Sequence, residues 1–392
     1  MEAVARETHK ATTVDIESQE SYLVEPDLDF IRELGSFGAT TFSKCYQCAT
    51  CSASCSISPD ENPFPRKEVL WAKWGLTDRL AEDLDIWTCY YCGDCSTDCP
   101  RGADPGETMM ALRRYMTSVY DWTGISRLLY TSRVREIAAV LLVGLIVVGL
   151  FFFSGAFTPE RMVTDHVSVN TFIPVEWVHA ADWVMAGILT FFLLTNTFRM
   201  WRMTMAGRKA PLSLYVSNLK IFLVNAATQK KWRECEQQNT RGFWLKHFIL
   251  VPAYAGMFVL VMFFLESLQV DTSEFTWVSI LGYACTFALL YVSGDAMIGR
   301  LRKKEEIHKY SHDSDWMFLI LLFLTALTGI LMHVLRIMDW PLSTYYMYVI
   351  HLAVVAPLLV LEVPFMKWAH LMYRPLALYL KAVKESAAEA KA

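Results

Sequence analysis

Six long apolar runs dominate the second part of this 392-residue chain, near residues 137–157, 175–198, 243–265, 275–298, 316–335 and 345–368. A hydrocarbon core of roughly 30 Å takes about 20 helical residues to cross, so each run can span it. Lipid offers the backbone no hydrogen bonds, so apolar runs of this length must fold as helices. Trp177, Trp244, Trp277, Trp340 and Trp368 stand at run ends, where interfacial aromatic anchors belong. The chain is expected to be all-α.

Loop charge orients the runs. The connection 199–246 carries ten Lys and Arg, and 299–314 carries five. The three opposite loops carry Arg161, with Arg336 at a helix end. Basic loops stay on the cytoplasmic side, so six crossings place both termini there, in a multi-pass protein of the cytoplasmic membrane. The net charge of −4 gives no reason to expect nucleic acid. Residues 1–35 carry nine acids against three bases and read as a mobile tail or a docking arm. Residues 211–226 read as a short helix lying on the inner surface, and the Ala/Lys/Glu stretch after Lys381 as a solvated helix or disordered tail.

Eight of the ten cysteines fall between Cys45 and Cys99. No apolar stretch of signal-peptide type precedes them, so the segment is expected in the cytoplasm, where structural disulfides are uncommon. Cys45, Cys48, Cys51 and Cys55 form C-x2-C-x2-C-x3-C, and Cys89, Cys92, Cys95 and Cys99 repeat it before Pro100. Three thiolates two residues apart wrap three corners of a cubane, and the fourth closes the other cluster of a two-cluster fold. The motif therefore predicts two 4Fe–4S clusters. One is held by Cys45, Cys48, Cys51 and Cys99, the other by Cys89, Cys92, Cys95 and Cys55. Structural zinc prefers C-x2-C pairs parted by a longer loop, and a third Cys in both copies argues against it. Apolar spacing at Val69, Leu70, Trp74, Leu76 and Leu80 predicts helix between the motifs, hence an α-helical ferredoxin. Cys235 and Cys285 have no cysteine neighbours in sequence, and Cys285 reads as a small core residue.

Histidines in lipid are costly and take partners. His247 opens the third run and His370 closes the sixth, both on the basic-loop side. His179, His333 and His351 lie on the opposite side. A rise of 1.5 Å per residue puts His351 and His370 roughly 28 Å apart, too far to share one haem. A b-type haem takes an imidazole above and below its ring, so two haems b at two levels are expected. His247 and His370 are the inner pair. At the outer level His351, His179 and His333 compete for two places, with Met257 a weaker candidate. His9, His166, His308 and His312 are assigned no role. The interval of 19 residues between His351 and His370 is one more than five helical turns, and Pro357 and Pro364 predict a bulge that absorbs it. Glu362, an acid in the same run, is a functional candidate. The expected organisation is an acidic tail over 1–40, a two-cluster domain over 41–120, a linker over 121–135, a six-span cytochrome b domain over 136–375 and a tail over 376–392.

The cysteine repeat resembles the small iron–sulfur subunit of heterodisulfide reductases. The ending Pro364-Phe365-Met366-Lys367-Trp368-Ala369-His370, with His351 upstream, is similar to the last helix of the nitrate reductase γ-subunit family of cytochromes b. The fusion of the two in this order resembles the membrane-subunit (C-subunit) family of quinone-interacting membrane-bound oxidoreductase complexes, over nearly the whole chain. That resemblance implies electron exchange with menaquinone and partner subunits A and B that carry flavin and iron–sulfur groups. It also implies a link to adenylylsulfate reductase in dissimilatory sulfate reduction. It matches His247 and His370 to the inner haem and His351 to one outer ligand. Where the cytochrome family has a fourth His, on the helix of His247, this chain has Met257. The same chemistry would serve a heterodisulfide- or sulfite-linked complex. A non-catalytic redox-sensing anchor is the reading from another class, and histidines at two membrane levels argue against it.

Overall fold

A computed structural model describes residues 25–235, 240–271, 276–303 and 305–390. The acidic segment 1–24 with His9, and part of the loop expected near 267–274, lie outside the described residues. Among the described residues the fold is all-helical, a cysteine-bearing domain of short helices followed by long apolar helices.

α1 (Leu28–Glu33) starts where Asp27 Oδ1 accepts the Phe30 N–H at 2.8 Å, a side-chain cap on one of the unpaired amides of a first helical turn. Phe30 and Phe37 pack on Tyr115, with ring centroids 4.5 and 5.5 Å apart. Phe30, Leu34, Phe37 and Ala39 therefore belong to the domain core, and the described part of the expected 1–40 tail packs on the domain through them. Their apolar side chains are outweighed, in the composition of the segment, by the surrounding acids. α2 (Arg66–Lys73) and α3 (Thr77–Glu82) follow, with Val69, Leu76 and Leu80 buried as the spacing predicts and Trp74 left exposed. Gly75 turns the chain between them at φ +66°, and its Cα lies so close to Asp27 that a Cβ would stand 2.7 Å from that residue's backbone. Only glycine fits there. α4 (Pro105–Tyr120) runs through the middle of the domain, buried on nearly every side, with proline in its first turn, a position that needs no N–H.

The 121–135 stretch is not an open linker. α5 (Ile125–Tyr130) buries Leu129 and Tyr130 in the same core. Then come α6 (Arg133–Phe153), α7 (Val175–Thr204), α8 (Leu212–Thr228), α9 (Thr240–Leu268), α10 (Trp277–Arg302), α11 (Asp313–Ile337) and α12 (Pro341–Pro357). Six helices among the described residues are long and apolar enough to cross a membrane: α6, α7, α9, α10, α11, and the stretch Pro341–Phe365 that begins with α12. α9 packs on α10, α10 on α11, α11 on α12 and α12 on α6. Leu141, Leu145, Phe152, Phe191 and Tyr291 point outward from this bundle. Water would penalise such a surface and lipid would not.

The sixth run carries the predicted irregularity. A π-helical turn, Leu358–Glu362, sits between Pro357 and Pro364. Met366 (φ −130°, ψ −138°) then breaks the helix before α13 (His370–Glu389). α13 is not solvated throughout. Leu376, Ala377, Leu380 and Val383 form a buried stripe at helical spacing, against α8 and the turn Asp85–Thr88. Lys381 Nζ reaches Asp85 Oδ1 at 2.6 Å and Lys384 Nζ reaches the Glu82 carbonyl at 3.0 Å. The described part of the expected 376–392 tail is thus a helix whose first turns dock on the cysteine-bearing domain, while Glu385 and Ala388 to Ala390 are exposed, as a solvated helix end would be. Its Ala/Lys/Glu composition hid a narrow apolar stripe.

Candidate metal centres

The two cysteine motifs fold alike. Gln47 and Ala49 have φ of 65° and 68°, and Tyr91 and Gly93, at the matching positions of the second copy, have 56° and 100°. Left-handed backbone at a residue other than glycine is strained and persists where the surroundings demand it. Here it turns the loop inward, so that amides point at sulfur. Cys45 Sγ accepts from Gln47 N and Nε2, both at 3.4 Å; Cys89 Sγ accepts from Tyr91 N and Cys99 Sγ from Ala103 N, also at 3.4 Å. A short helical turn follows each loop, Thr50–Ala53 and Asp94–Thr97. Basic side chains grip the carbonyl of each motif's first cysteine. Lys73 Nζ donates to Cys45 O at 2.5 Å, and Arg374 Nη2 at 3.1 Å, with Arg113 beside it, donates to Cys89 O.

The thiols gather in two groups. Cys51 has Cys45, Cys99 and Cys48 as its charged neighbours, and burial first, then these thiols, push it up to about 11. Burial pushes the Cys55 thiol up to about 12, with Cys89 and Cys92 adding to the rise. Cys55, Cys89, Cys92 and Cys95 line one pocket with Ile57, Phe64 and Tyr90. Each fourth cysteine therefore lies with the other motif. Four thiols gathered this closely fit a cationic metal cluster, which lets them all become thiolates. Cys48 is the exposed thiol of the eight.

The sequence missed a ninth thiol. Cys235, far away in the chain, is buried in contact with Cys92 and near Cys89 and Cys55. Basic residues beside the second group, Arg113 and Arg374, also had no sequence signal. Cys285 is a packing residue, as expected, in a cluster with Ala253, Leu289 and Ala326.

Of the five candidate histidines, the structure brings His247 and His370 together, with ring centroids 6.0 Å apart and planes at 76°. Metal–imidazole bonds of about 2 Å place rings on opposite sides of one ion roughly 6 Å apart. His370 Nδ1 bonds the Lys367 carbonyl, the anchoring that leaves Nε2 for a metal and fixes the ring. The donor pair fits one haem iron. His351 is held through Nδ1 by Thr328 Oγ1 at 2.9 Å. His333 is engaged at both nitrogens: Nε2 accepts from Arg336 at 2.8 Å, so Nδ1 donates to Tyr283 Oη at 2.7 Å. His179 Nε2 lies 2.8 Å from the Met262 carbonyl and 3.0 Å from Trp183 Nε1. Among the described residues no two of these three rings are in contact. Met257 lies in the apolar cluster that contains Val354, one turn from His351. His308 and His166 join neither group, whereas His312 caps α11 and bonds the Ser36 carbonyl at 3.1 Å.

Glu362, at the π-helical turn, is 1% exposed; Oε2 accepts the Lys367 N–H at 3.1 Å and Oε1 has no partner. Glu136 Oε1 is likewise buried without a partner. In the iron–sulfur domain Glu68, Asp83 and Asp85 present oxygens within 4.8 Å of one another, the spacing of a cation site. The cation there is Lys67, 3.4 Å from Glu68, 3.3 Å from Asp83 and bonded to Asp85. The triad needs no metal.

Residues 41–103 match the family model of the 4Fe–4S dicluster domain. A protein of Archaeoglobus profundus, like the C subunit of heterodisulfide reductase, is 33% identical over 105 residues, 26% of this chain and 54% of that protein. The iron–sulfur C subunit of the CoB–CoM heterodisulfide reductase from Methanopyrus kandleri is 29% identical over 108 residues, 25% of this chain and 56% of that one. The C subunit of the H2:CoB–CoM heterodisulfide, ferredoxin reductase from Methanothermobacter marburgensis is 32% identical over 76 residues, 19% and 40% of the two chains. The chain spans about half the length of the curated relatives it matches. No solved structure matches it. The chain thus carries a two-cluster 4Fe–4S domain similar to the C subunit of heterodisulfide reductase over about a quarter of its length, followed by a helical region with six helices able by length and composition to span a membrane.

Proposed function

We propose that this chain is the membrane subunit of a quinone-linked oxidoreductase complex. It exchanges electrons between a quinone, menaquinone by its resemblance, and flavin or iron–sulfur subunits docked on its iron–sulfur domain. The same resemblance points to adenylylsulfate reductase as the downstream enzyme in sulfate reduction. The observation that carries the reading lies at the start of α13. His370 faces His247, and Arg374, one turn on, binds the Cys89 carbonyl. One helical turn thus links an imidazole pair at the end of the bundle to the second cysteine group.

Haem b between His247 and His370, and clusters on the two thiol groups, would supply one-electron carriers. The chain's own residues hold and insulate them. Amides at Gln47, Tyr91 and Ala103 offset thiolate charge, and Arg113 and Arg374 place cations beside the second group. Cys48 brings the first group to the surface, where a partner would meet it. His351 is proposed as an outer haem ligand, with His179, through Nδ1, or Met257 as its counterpart. Loop charge favours the iron–sulfur domain and both termini in the cytoplasm; a maleimide that stays outside intact cells should label Thr164→Cys and not Ala388→Cys. The subunit names of the relatives favour a second reading, service to a heterodisulfide-linked complex, with the same residues and other partners.

Adding a reduced menaquinone analogue to the purified protein tests the function. Reduction of haem bands supports it. A protein that carries both clusters but no haem sinks it.

A further inference from the structure

The basic connection between α7 and α9 does more than set orientation. After α8 the chain turns at Gln229 (φ 50°) into a tight helical turn, Lys230–Glu234. Trp232 N donates to the Gln229 carbonyl at 2.9 Å and Cys235 N to the Trp232 carbonyl at 3.2 Å, so the turn is wound onto a fixed place. Trp232 stacks on Tyr90, between Cys89 and Cys92, with centroids 5.6 Å apart and planes at 21°. Its ring also lies 5.4 Å from His247, edge to face. This stacking seats Cys235, 5% exposed, with its thiol beside that of Cys92 and near Cys89 and Cys55. No disulfide joins it to Cys92. The group of four thiols therefore has a fifth beside it, supplied by the connection between α7 and α9.

We propose that Cys235 is a positioning residue for the second cluster, its S–H donating to Cys92 Sγ and setting that cluster's reduction potential. A donor to a ligating sulfur stabilises the extra negative charge of the reduced form, and such hydrogen bonds are among the terms that set cluster potentials. Trp232 covers the same side and keeps water from replacing the thiol. The inference rests on the two-cluster reading and is independent of haem and quinone.

Redox titration of the full-length protein, followed by EPR, tests it. The signal that Cys95→Ser perturbs marks the second cluster. Cys235→Ala should lower the reduced fraction of that signal roughly tenfold at a fixed potential, the scale of one hydrogen bond to a charged sulfur. The first cluster should titrate unchanged. Cys235→Ser, which restores a donor, should return the second cluster toward its native behaviour. Cys235→Val, similar in size and without a donor, should repeat the Ala result where a cavity disturbs packing. Native titration in both Ala and Val variants overturns the proposal. So does loss of the second cluster's iron with the first intact, because Cys235 would then be a ligand. A protein without haem bands would sink the quinone reading and leave the outcome of this titration unaffected.

Discussion

The Arg114 guanidinium donates to Asp315 Oδ2 at 3.0 Å, joining residues 201 positions apart across the boundary between the iron–sulfur domain and the helical bundle. Asp315 also receives Lys367, three residues before His370. On the other side, Arg114 binds Glu107 Oε1 at 2.8 Å, and Glu107 Oε2 accepts from Tyr91 Oη at 3.1 Å. A buried chain of charges thus runs from the second cysteine motif to the end of the sixth run. It holds the second thiol group and the imidazole pair in one register, as the proposed electron transfer between them requires.

Asp315→Ala should break that register. Lys367, a quarter exposed, would lose this anion and Arg114 one of its two, a change that costs less than the roughly 3–5 kcal/mol of leaving a fully buried charge unpaired. The expected result is a lower unfolding temperature and new protease cleavage between α4 and α6. A variant as heat-stable and as protease-resistant as the native protein would show that the apolar core, and not the ion pair, fixes the domains.

Glu68 gives a pH dependence of known sign. Burial, and then the nearby Asp83, hold its carboxyl well above the usual range, against the opposing pull of Lys67. The folded state therefore keeps a proton that the unfolded chain releases. That contribution to stability is fully present below the ordinary glutamate range and is lost as pH rises toward neutrality, at about 1.4 kcal/mol per pH step of one. Glu68→Gln should flatten the fall in unfolding temperature between about pH 5 and pH 8 and be the more stable protein at the upper end. Lys67 keeps Asp83 and Asp85 as partners, so the substitution leaves no cation alone. A variant that loses stability at neutral pH would mean that Glu68 is ionised in the fold.

Much of this architecture is legible in sequence because it depends on local pattern. Span length, motif spacing and the proline pair around the π-helical turn each act within a few turns of helix. Distant docking leaves a weaker trace. Phe30 and Phe37 sit among acids, and the α13 stripe sits among Ala, Lys and Glu, so composition masked their burial. Cys235 carries no local signal at all, since nothing in residues 230–235 tells that Trp232 will stack on Tyr90. The histidines fall between these cases. Their depth in the membrane can be read from the sequence, but the hydrogen bonds that occupy both nitrogens of His333 come from Tyr283 and Arg336, only one of which is its neighbour in sequence.

Cys55→Ser tests the crossing of the fourth ligands. Cys55 shares its pocket with Cys89, Cys92 and Cys95, and Cys99 neighbours Cys51. The substitution should alter the EPR signal that Cys95→Ser also alters and spare the one that depends on Cys48. Loss of the Cys48-dependent signal alone would mean that each motif closes its own cluster.

The haem ligands of the proposed function can be separated by what each imidazole already binds. His370→Ala and His247→Ala each remove one half of the pair whose rings stand 6.0 Å apart. The end of the bundle offers no second imidazole there among the described residues, so one low-spin haem should be lost or turn high-spin in both variants. His351→Ala should act on a different haem, since its ring is held by Thr328, well away along the sixth run. His333→Ala should leave haem content unchanged. Its Nε2 lone pair accepts from Arg336 and its Nδ1 proton goes to Tyr283, and iron would have to displace a cation's hydrogen bond to bind. His179→Ala and Met257→Ala then divide the remaining outer position: the true ligand's loss should shift the band that His351→Ala shifts. Low-temperature absorption spectra and haem quantification on the six variants check every arm. Two intact low-spin haems in both His247→Ala and His370→Ala would remove the inner pair from the site, and with it the observation on which the proposed function rests.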